Sequence, residues 1–434
     1  EAHIDALVLG GELALDVARR RAEEGDAGEI YAAVRVFSRE RRFDLLTEVL
    51  DRVTPDAPDA TSAIAEALSL ELPSEWHDKA IDLLRSRDEL TGLLARVVGR
   101  RRIAAASDAL LDRLQHGPPE SLPAIAYALG RIAEPKARGP LLHLRASSSD
   151  ASFRREALVA LLRLHDPSAL VICREEAVGN ESRSRSQARE ESEEKENRPG
   201  LHLDLAAASP ADHARLMLAL AGGPDDPQIL LRCALASATP ATVLALGVLG
   251  DPAAVPTLLE YLARKETAPA AALGLSLLTG ASLIEEVFIP EEIDPDTLSS
   301  DERERLERGE PPFPPDHPIP GDRMLRLAED PVAWREWWRE HRSRFEAGAR
   351  YRGGEPFSAE AVVRVLARAG AHPVARRIAL DELAIRYGAR SPLEVELPAL
   401  EQTRHVDELA SWAASGRVRD ARAWAFGGRP VDAR

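Results

Sequence analysis

Ala128-Leu129-Gly130, followed by Glu134-Pro135-Lys136-Ala137, is the stretch that decides the fold. Thirty-two residues on, Ala160-Leu161-Leu162 precedes Asp166-Pro167-Ser168-Ala169, and the pattern returns as Ala245-Leu246-Gly247 before Asp251-Pro252-Ala253-Ala254. Each copy ends one apolar helix, turns at an acidic-Pro pair and begins another. The proline occupies the first turn of the second helix, where a missing N–H leaves no intrahelical acceptor unpaired. The acidic residue before it caps the free amides there and complements the helix dipole. Asp226-Pro227, behind Ala219-Leu220-Ala221, reads as a further copy with one extra residue between them. A repeat of this length is a helical pair, and such pairs bury their apolar faces by stacking on their neighbours.

The register extends towards the N-terminus through small residues at the end of each first helix. Ser38, Ser69, Gly99 and Gly130 are spaced by 31, 30 and 31, and Leu162 takes the same place after 32. A small side chain there lets one helix approach the next closely. Leu162 breaks that rule, so the packing is expected to change at this repeat.

Composition agrees with helices. Only 4% of the 434 residues are aromatic, Ala and Leu are abundant, and Val/Ile/Thr alternation is nearly absent. The net charge of −16 repels a polyanion at long range and disfavours nonspecific nucleic-acid binding. Arg100-Arg101-Arg102, beside a helix start, suits either a solvated edge or a phosphate site, and charge runs of this kind are ordinarily solvated edges. Cys173 and Cys233 are too far apart in sequence for a CxxC metal pair and lie in apolar helical runs, where free cysteine behaves as a small buried hydrophobe. That fits a cytoplasmic location. No apolar run reaches membrane-spanning length, and no signal peptide opens the chain. Residue 1 is Glu, already within a helical pattern, so the native N-terminus is expected upstream.

Two stretches interrupt the helical pattern. Residues 181–200, ESRSRSQAREESEEKENRPG, carry dense mixed charge without apolar periodicity and read as a disordered insertion. Residues 289–322 hold eight prolines and read as an extended connector, anchored by Phe313 and Ile319, with a short helical turn over 300–308. Between them, helices are expected from Leu203 through about Glu286. The organisation is therefore helical repeats over 1–288, the connector over 289–322, and a helical C-terminal cap over 323–434.

The cap holds five of the six tryptophans. Trp334, Trp337, Trp338 and His341 share one helix face. They form either an exposed anchor for a partner or a core stripe closing the end of the repeats, and aromatic stripes at helical spacing ordinarily pack inward. Arg350-Tyr351-Arg352-Gly353-Gly354-Glu355 is a polar turn before Pro356. It suits either anion binding or a loop whose glycines take positive φ. Ser358 reads as the N-cap of the next helix, and a final helical pair follows near 373–385 and 406–414.

Catalytic signatures are missing from the sequence. None of the 11 histidines precedes a Glu, which argues against a di-iron hydroxylase built on repeated His-Glu pairs. There is no H-E-x-x-H helix, phosphate-binding loop, dinucleotide fingerprint or nucleophile elbow. His165-Asp166 are adjacent at a helix end, where their side chains diverge. No catalytic, cofactor-binding or metal-binding residue is assigned. Candidate partner-binding residues are Trp334, Trp337, Trp338, Arg350, Tyr351 and Arg352.

The repeat A-L-G-x-x-x-D-P-x-A resembles the HEAT-like repeats of phycobilisome lyases over roughly residues 30–285. That resemblance implies a right-handed α-solenoid of antiparallel helix pairs, and it does not imply lyase activity. Across almost the whole chain, three features resemble an uncharacterised proteobacterial HEAT-repeat family abundant in myxobacteria. They are the opening Glu1-Ala2-His3-Ile4-Asp5-Ala6-Leu7 with Gly10-Gly11, the tryptophan cluster, and Arg350-Tyr351-Arg352 with Gly354, Pro356 and Ala379-Leu380-Asp381-Glu382-Leu383-Ala384. Genes of that family often neighbour type VI secretion components. The resemblance therefore implies a non-enzymatic scaffold or adaptor whose protein partner is a secretion effector or spike-adaptor protein. Two alternatives stay open: a groove-binding enzyme or lyase-like protein, with a deep pocket and perturbed titrating groups, and a nucleic-acid-binding protein with a Lys/Arg-lined face.

Overall fold

Leu129, Gly130 and Ala160, with which the repeat was recognised, are buried where neighbouring helices meet. The computed structural model describes residues 2–54, 56–179, 208–290, 298–308, 312–313, 321–415, 418 and 424–431. Among these the chain is mostly helical. The helices are α1 (Ala2–Leu9), α2 (Gly11–Glu24), α3 (Ala27–Arg39), α4 (Phe43–Leu50), α5 (Pro58–Glu71), α6 (His77–Ser86), α7 (Thr91–Arg100), α8 (Ser107–His116), α9 (Leu122–Ile132), α10 (Arg138–Ser147), α11 (Ala151–Arg163) and α12 (Pro167–Val178). They continue as α13 (Pro210–Ala221), α14 (Asp226–Ala236), α15 (Pro240–Leu249), α16 (Val255–Tyr261), α17 (Ala268–Thr279), α18 (Ser300–Glu307), α19 (Pro331–His341), α20 (Ala359–Ala367), α21 (Pro373–Tyr387) and α22 (Ala399–Ala413). The six short strands pair as antiparallel hairpins: β1 (Ile284–Pro290) with β2 (Gly321–Leu327), β3 (Tyr351–Arg352) with β4 (Glu355–Pro356), and β5 (Ala425–Phe426) with β6 (Arg429–Pro430).

The chain divides into two compact units. The first gathers Glu1–Val178, Pro210–Leu230 and Phe357–Arg434, and the second is built on Leu231–Pro356. The C-terminal stretch 323–434 is thus shared between them, parting at Phe357. The 181–200 insertion and Ile319 lie outside the described residues.

In the first unit, α3, α5, α7, α9 and α11 pack each on the next. Glycine sets the closeness. A Cβ on Gly99 would stand 2.6 Å from the Ala128 Cα, and one on Gly130 2.6 Å from the Ala160 Cα. Leu162 is fully buried, and here the row changes: α13 packs chiefly on α12, with a smaller contact to α11. A leucine cannot admit a neighbouring backbone as glycine does.

Except at Ser69, where the helix runs out into extended Leu72, these repeats stop their first helix in the same way. Arg41, Arg102, Ala133 and His165, three residues after Ser38, Gly99, Gly130 and Leu162, all take the left-handed conformation. The following N–H then closes back on the helix, as in Ile103 to the Val98 carbonyl at 2.9 Å and Glu134 to the Leu129 carbonyl at 3.1 Å. The acidic caps act next. Glu134, Asp166 and Asp251 each accept the amide two residues on, at 2.9–3.0 Å. Asp226 is used differently. It is fully buried, accepts the Gly223 amide at 2.6 Å and grips Arg174 through both oxygens at 2.7 and 2.9 Å. Its carboxylate therefore serves the Gly223 amide and the Arg174 guanidinium.

In the second unit, α15 lies against α17 at a glycine-glycine contact, where a Cβ on Gly247 would meet the Gly274 Cα at 2.1 Å. The helical expectation through Glu286 fails, because 284–290 forms β1 in register with 321–327. The run Ile284-Glu285-Glu286-Val287-Phe288-Ile289 has local strand character. Its partner is 37 residues away at closest facing side-chain contact, Glu286 to Arg323, and no local periodicity announces it. The short helical turn expected near 300–308 is α18, opened by a Ser299–Glu302 capping box.

Candidate functional site

The residues singled out in the C-terminal region converge within the second unit. Ser358, beyond its boundary in the first unit, caps α20 by accepting the Ala361 amide at 3.1 Å. Trp334 is buried and its indole N–H donates to the Ala328 carbonyl at 2.7 Å. Trp337 and Trp338 are half-buried. Trp337 stacks on His341 at 4.3 Å, Trp338 meets Phe345 at 5.2 Å, and Phe345 meets Tyr351 edge-on at 4.9 Å. The tyrosine hydroxyl accepts the Glu346 amide at 2.8 Å. The tryptophans thus belong to an aromatic chain leading to the β3–β4 hairpin.

Arg350 and Arg352 are buried and serve helix ends. Arg350 Nε donates to the Leu249 carbonyl at 2.6 Å, and Arg352 donates to the carbonyls of Gly247 and Val248. The Tyr351 amide donates to Gly250, and the Gly353 and Gly354 amides donate to Leu277 and Leu278. The last carbonyls of α15 and α17, which have no partner within their helices, are satisfied by this hairpin. Gly353 and Gly354 sit at φ +62° and +82°, and a Cβ on Gly354 would strike the Thr279 carbonyl oxygen at 2.4 Å. The second hairpin repeats the device inside the first unit. Gly427 and Gly428 donate to the carbonyls of Ile385 and Arg386 at the end of α21. Tyr351-Arg352-Gly353-Gly354-Glu355-Pro356 and Ala425-Phe426-Gly427-Gly428-Arg429-Pro430 are therefore two copies of one helix-capping hairpin, a relation the shared Gly-Gly-x-Pro spacing carries.

The first unit holds a second set of residues that the sequence reading passed over. The residue after each small one is Arg39, Arg100, Arg131 and Arg163, so the repeat places an arginine at the same point of α3, α7, near the end of α9, and α11. Position 70 is the exception and carries Leu. Carboxylates from the C-terminal part of the same unit meet three of them: Glu396 pairs with Arg100 at 2.9 Å, Glu394 with Arg131, and Asp381 with Arg163. Leu393, between these contacts, is buried. The segment after α21 thus lies across the row as an acidic strip with an apolar anchor.

Beside the row is an open cavity of about 290 Å³, lined by Glu66, Arg96, Arg100, Tyr127, Ser152 and Glu156 among others. Burial pushes the Glu156 carboxyl above the usual range, against the pull of Arg155, Arg163 and Arg96. Arg96 is exposed and has no ion pair among the described residues. A recess of this kind can take a carboxylate on Arg96 and a donor on Glu156. The signal for it was the arginine spacing relative to the small residues, which only becomes informative once both are known to share a helix face.

Both cysteines are buried and neither forms a disulfide among the described residues, and burial pushes the Cys173 thiol above its ordinary value. Among the described residues no helix is long and apolar enough to cross a membrane, and no three His, Cys, Asp or Glu side chains are grouped to hold a metal. No family model matches the chain, and neither a curated protein nor a solved structure matches it.

Proposed function

We propose that this protein is a non-enzymatic scaffold, a right-handed solenoid of HEAT-like helix pairs, whose first unit binds an acidic segment of a partner protein. The observation that carries the reading is the arginine row set at the repeat period, already engaged by the acidic strip 394–396 of the chain itself. A surface that binds one irregular acidic segment through evenly spaced guanidiniums has the chemistry to bind another, and a preordered face avoids a large ordering cost. Arg96, exposed beside the row, is the cation open to the partner. The family resemblance supplies the class of partner, a secretion effector or spike-adaptor protein, and the two buried thiols fit a cytoplasmic location.

Phosphate-backbone binding is disfavoured, since most of the row is neutralised by carboxylates of the chain itself. A ligand-converting groove has one observation in its favour, the Glu156 carboxyl beside Arg96 in a cavity. The two readings separate in one experiment. Affinity capture from native lysate with wild-type protein and Arg96→Glu, followed by mass spectrometry, is expected to recover secretion components only with wild type. Equal recovery by both would remove the groove from the reading. Recovery of none, while a known adaptor succeeds in parallel, would sink the secretion assignment.

A further inference from the structure

A smaller recess in the first unit lies where α7, α9 and α11 end, and its lining is unusual in charge. Arg102, Arg131, Arg138, Arg163, His165 and Arg390 face a cavity of about 90 Å³. Two of the five guanidiniums have carboxylate partners, Arg131 with Glu394 and Arg163 with Asp381. Arg138 donates through Nε and Nη2 to the Leu164 carbonyl at 3.1 and 2.5 Å. Arg102 and Arg390 have no carboxylate within ion-pair distance among the described residues. Nε of Arg102 and Nε of Arg131 are enclosed without any hydrogen-bond acceptor.

The charges do not cancel. Each helix C-terminus contributes roughly −0.5 of a charge. Four such ends, that of α21 included, and two carboxylates offset about four of the five guanidinium charges and leave about one in surplus. His165 does not add to the cation count at neutral pH, because burial holds it below its ordinary value while its Nε2 contacts the Ala384 carbonyl at 3.0 Å. Burial, reinforced by Arg131 and Arg163, lowers Arg102 to about 9, so it stays charged at pH 7 in a setting that penalises the charge. Enclosing the Nε of a cation without a counter-charge is unfavourable, and guanidinium groups cannot relieve this by losing a proton at neutral pH.

We infer that this recess is an oxyanion site, taking one tetrahedral phosphate-type group between Arg102, Arg131 and Arg390. A phosphate oxygen supplies the acceptors that the two enclosed Nε donors lack, and its charge balances the surplus. Guanidinium groups recognise such oxygens with directed, charge-assisted hydrogen bonds. The cavity holds one such group and little more, so the phosphate is either free or at the end of a side chain or nucleotide that extends outward past Arg390, which is exposed. This site shares Arg131 and Arg163 with the arginine row but does not rest on the scaffold reading, whose open cation is Arg96.

The test uses the full chain with inorganic phosphate and O-phosphoserine as probes, each against sodium chloride at equal ionic strength, read by thermal melting and calorimetric titration. Arg102→Gln and Arg390→Gln remove one cation each at a half-buried and an exposed position, and Arg335→Gln, exposed on α19, serves as a control outside the recess. Expected results are a phosphate-dependent rise in Tm for wild type, at least a tenfold weaker affinity in both recess variants, and wild-type affinity in Arg335→Gln. Arg102→Gln should also melt at a higher temperature than wild type without phosphate, since it relieves cation repulsion, while losing most of the phosphate-induced rise. Binding of phosphoserine in addition to phosphate places the group on a larger ligand, and binding of phosphate alone places it free. The inference is overturned if neither probe raises Tm beyond chloride, or if both recess variants bind as wild type does.

Discussion

Gly247→Ala tests the claim that helix approach, set by missing side chains, holds the repeats together. The added Cβ would lie 2.1 Å from the Gly274 Cα and 2.6 Å from its carbonyl carbon and oxygen. Carbon atoms rest at about 3.5–4.0 Å, so α15 and α17 must part by more than an ångström. All three obstacles are backbone atoms, and no rotamer change moves them aside. Over-packing a tight core costs about 1–3 kcal/mol, and this contact belongs at the upper end. Replacing a helical glycine returns about 0.5–1 kcal/mol, which leaves a net loss of about 2 kcal/mol. Urea denaturation followed by far-UV circular dichroism reads this as a lower midpoint at unchanged slope. Two controls calibrate it. Gly274→Ala places its Cβ 3.3 Å from the Gly247 Cα and should be clearly milder. Gly139→Ala meets nothing within 4 Å, lies in α10, and should gain about 0.5–1 kcal/mol. The reasoning is refuted if Gly247→Ala unfolds with wild type, or if Gly139→Ala loses as much.

Arg386 is fully buried and donates to the carbonyls of Ala219, Gly222 and Ala425, so Arg386→Met should cost about 3–5 kcal/mol by orphaning them, visible as a large fall in Tm. Burial holds His213 at about 4, with Arg155 and Arg145 lowering it further and Glu176 opposing. Its neutral form contributes stability that is complete above pH 6.5 and is lost as pH falls towards 4, because the unfolded chain binds the proton first; the loss is at most about 3 kcal/mol, and His213→Gln should flatten that part of the stability–pH curve. Cys173 is buried with its thiol pushed above the ordinary value, so a thiol reagent at pH 8 should leave it unlabelled in folded protein and label it in urea; labelling at the unfolded rate without denaturant would contradict this burial.

Much of the helical organisation was legible because its causes are local. Ala-Leu-Gly runs, acidic-Pro turns and a 30–32-residue spacing each act within one repeat, and the structure places helices at those positions with the small residues at close contacts. The cap at Ser358 and the helices after it follow from the same short-range rules. Where the expectation failed, the cause was distant in sequence. Residues 284–289 become a strand because 321–327 pairs with them, and Asp226 leaves the capping role because Arg174, 52 residues earlier, claims its carboxylate.

The candidate sites divide in the same way. Arg350, Tyr351 and Arg352 stand out in the sequence as a polar turn, yet only the tertiary structure assigns their side chains and amides to the open ends of α15 and α17. The arginines at 39, 100, 131 and 163 have a spacing that any reader of the chain can count. Their meaning depends on Asp381, Glu394 and Glu396, more than 200 residues away from each arginine of the row they meet, and on helix ends that bring Arg102 and Arg390 to one recess. Sequence by itself determined that the chain is mostly helical and where many of its repeat helices stop and approach, because propensity, capping and side-chain size operate over a few residues. The balance of charge at each site was decided by tertiary structure alone, because electrostatic partners are chosen by distance in space.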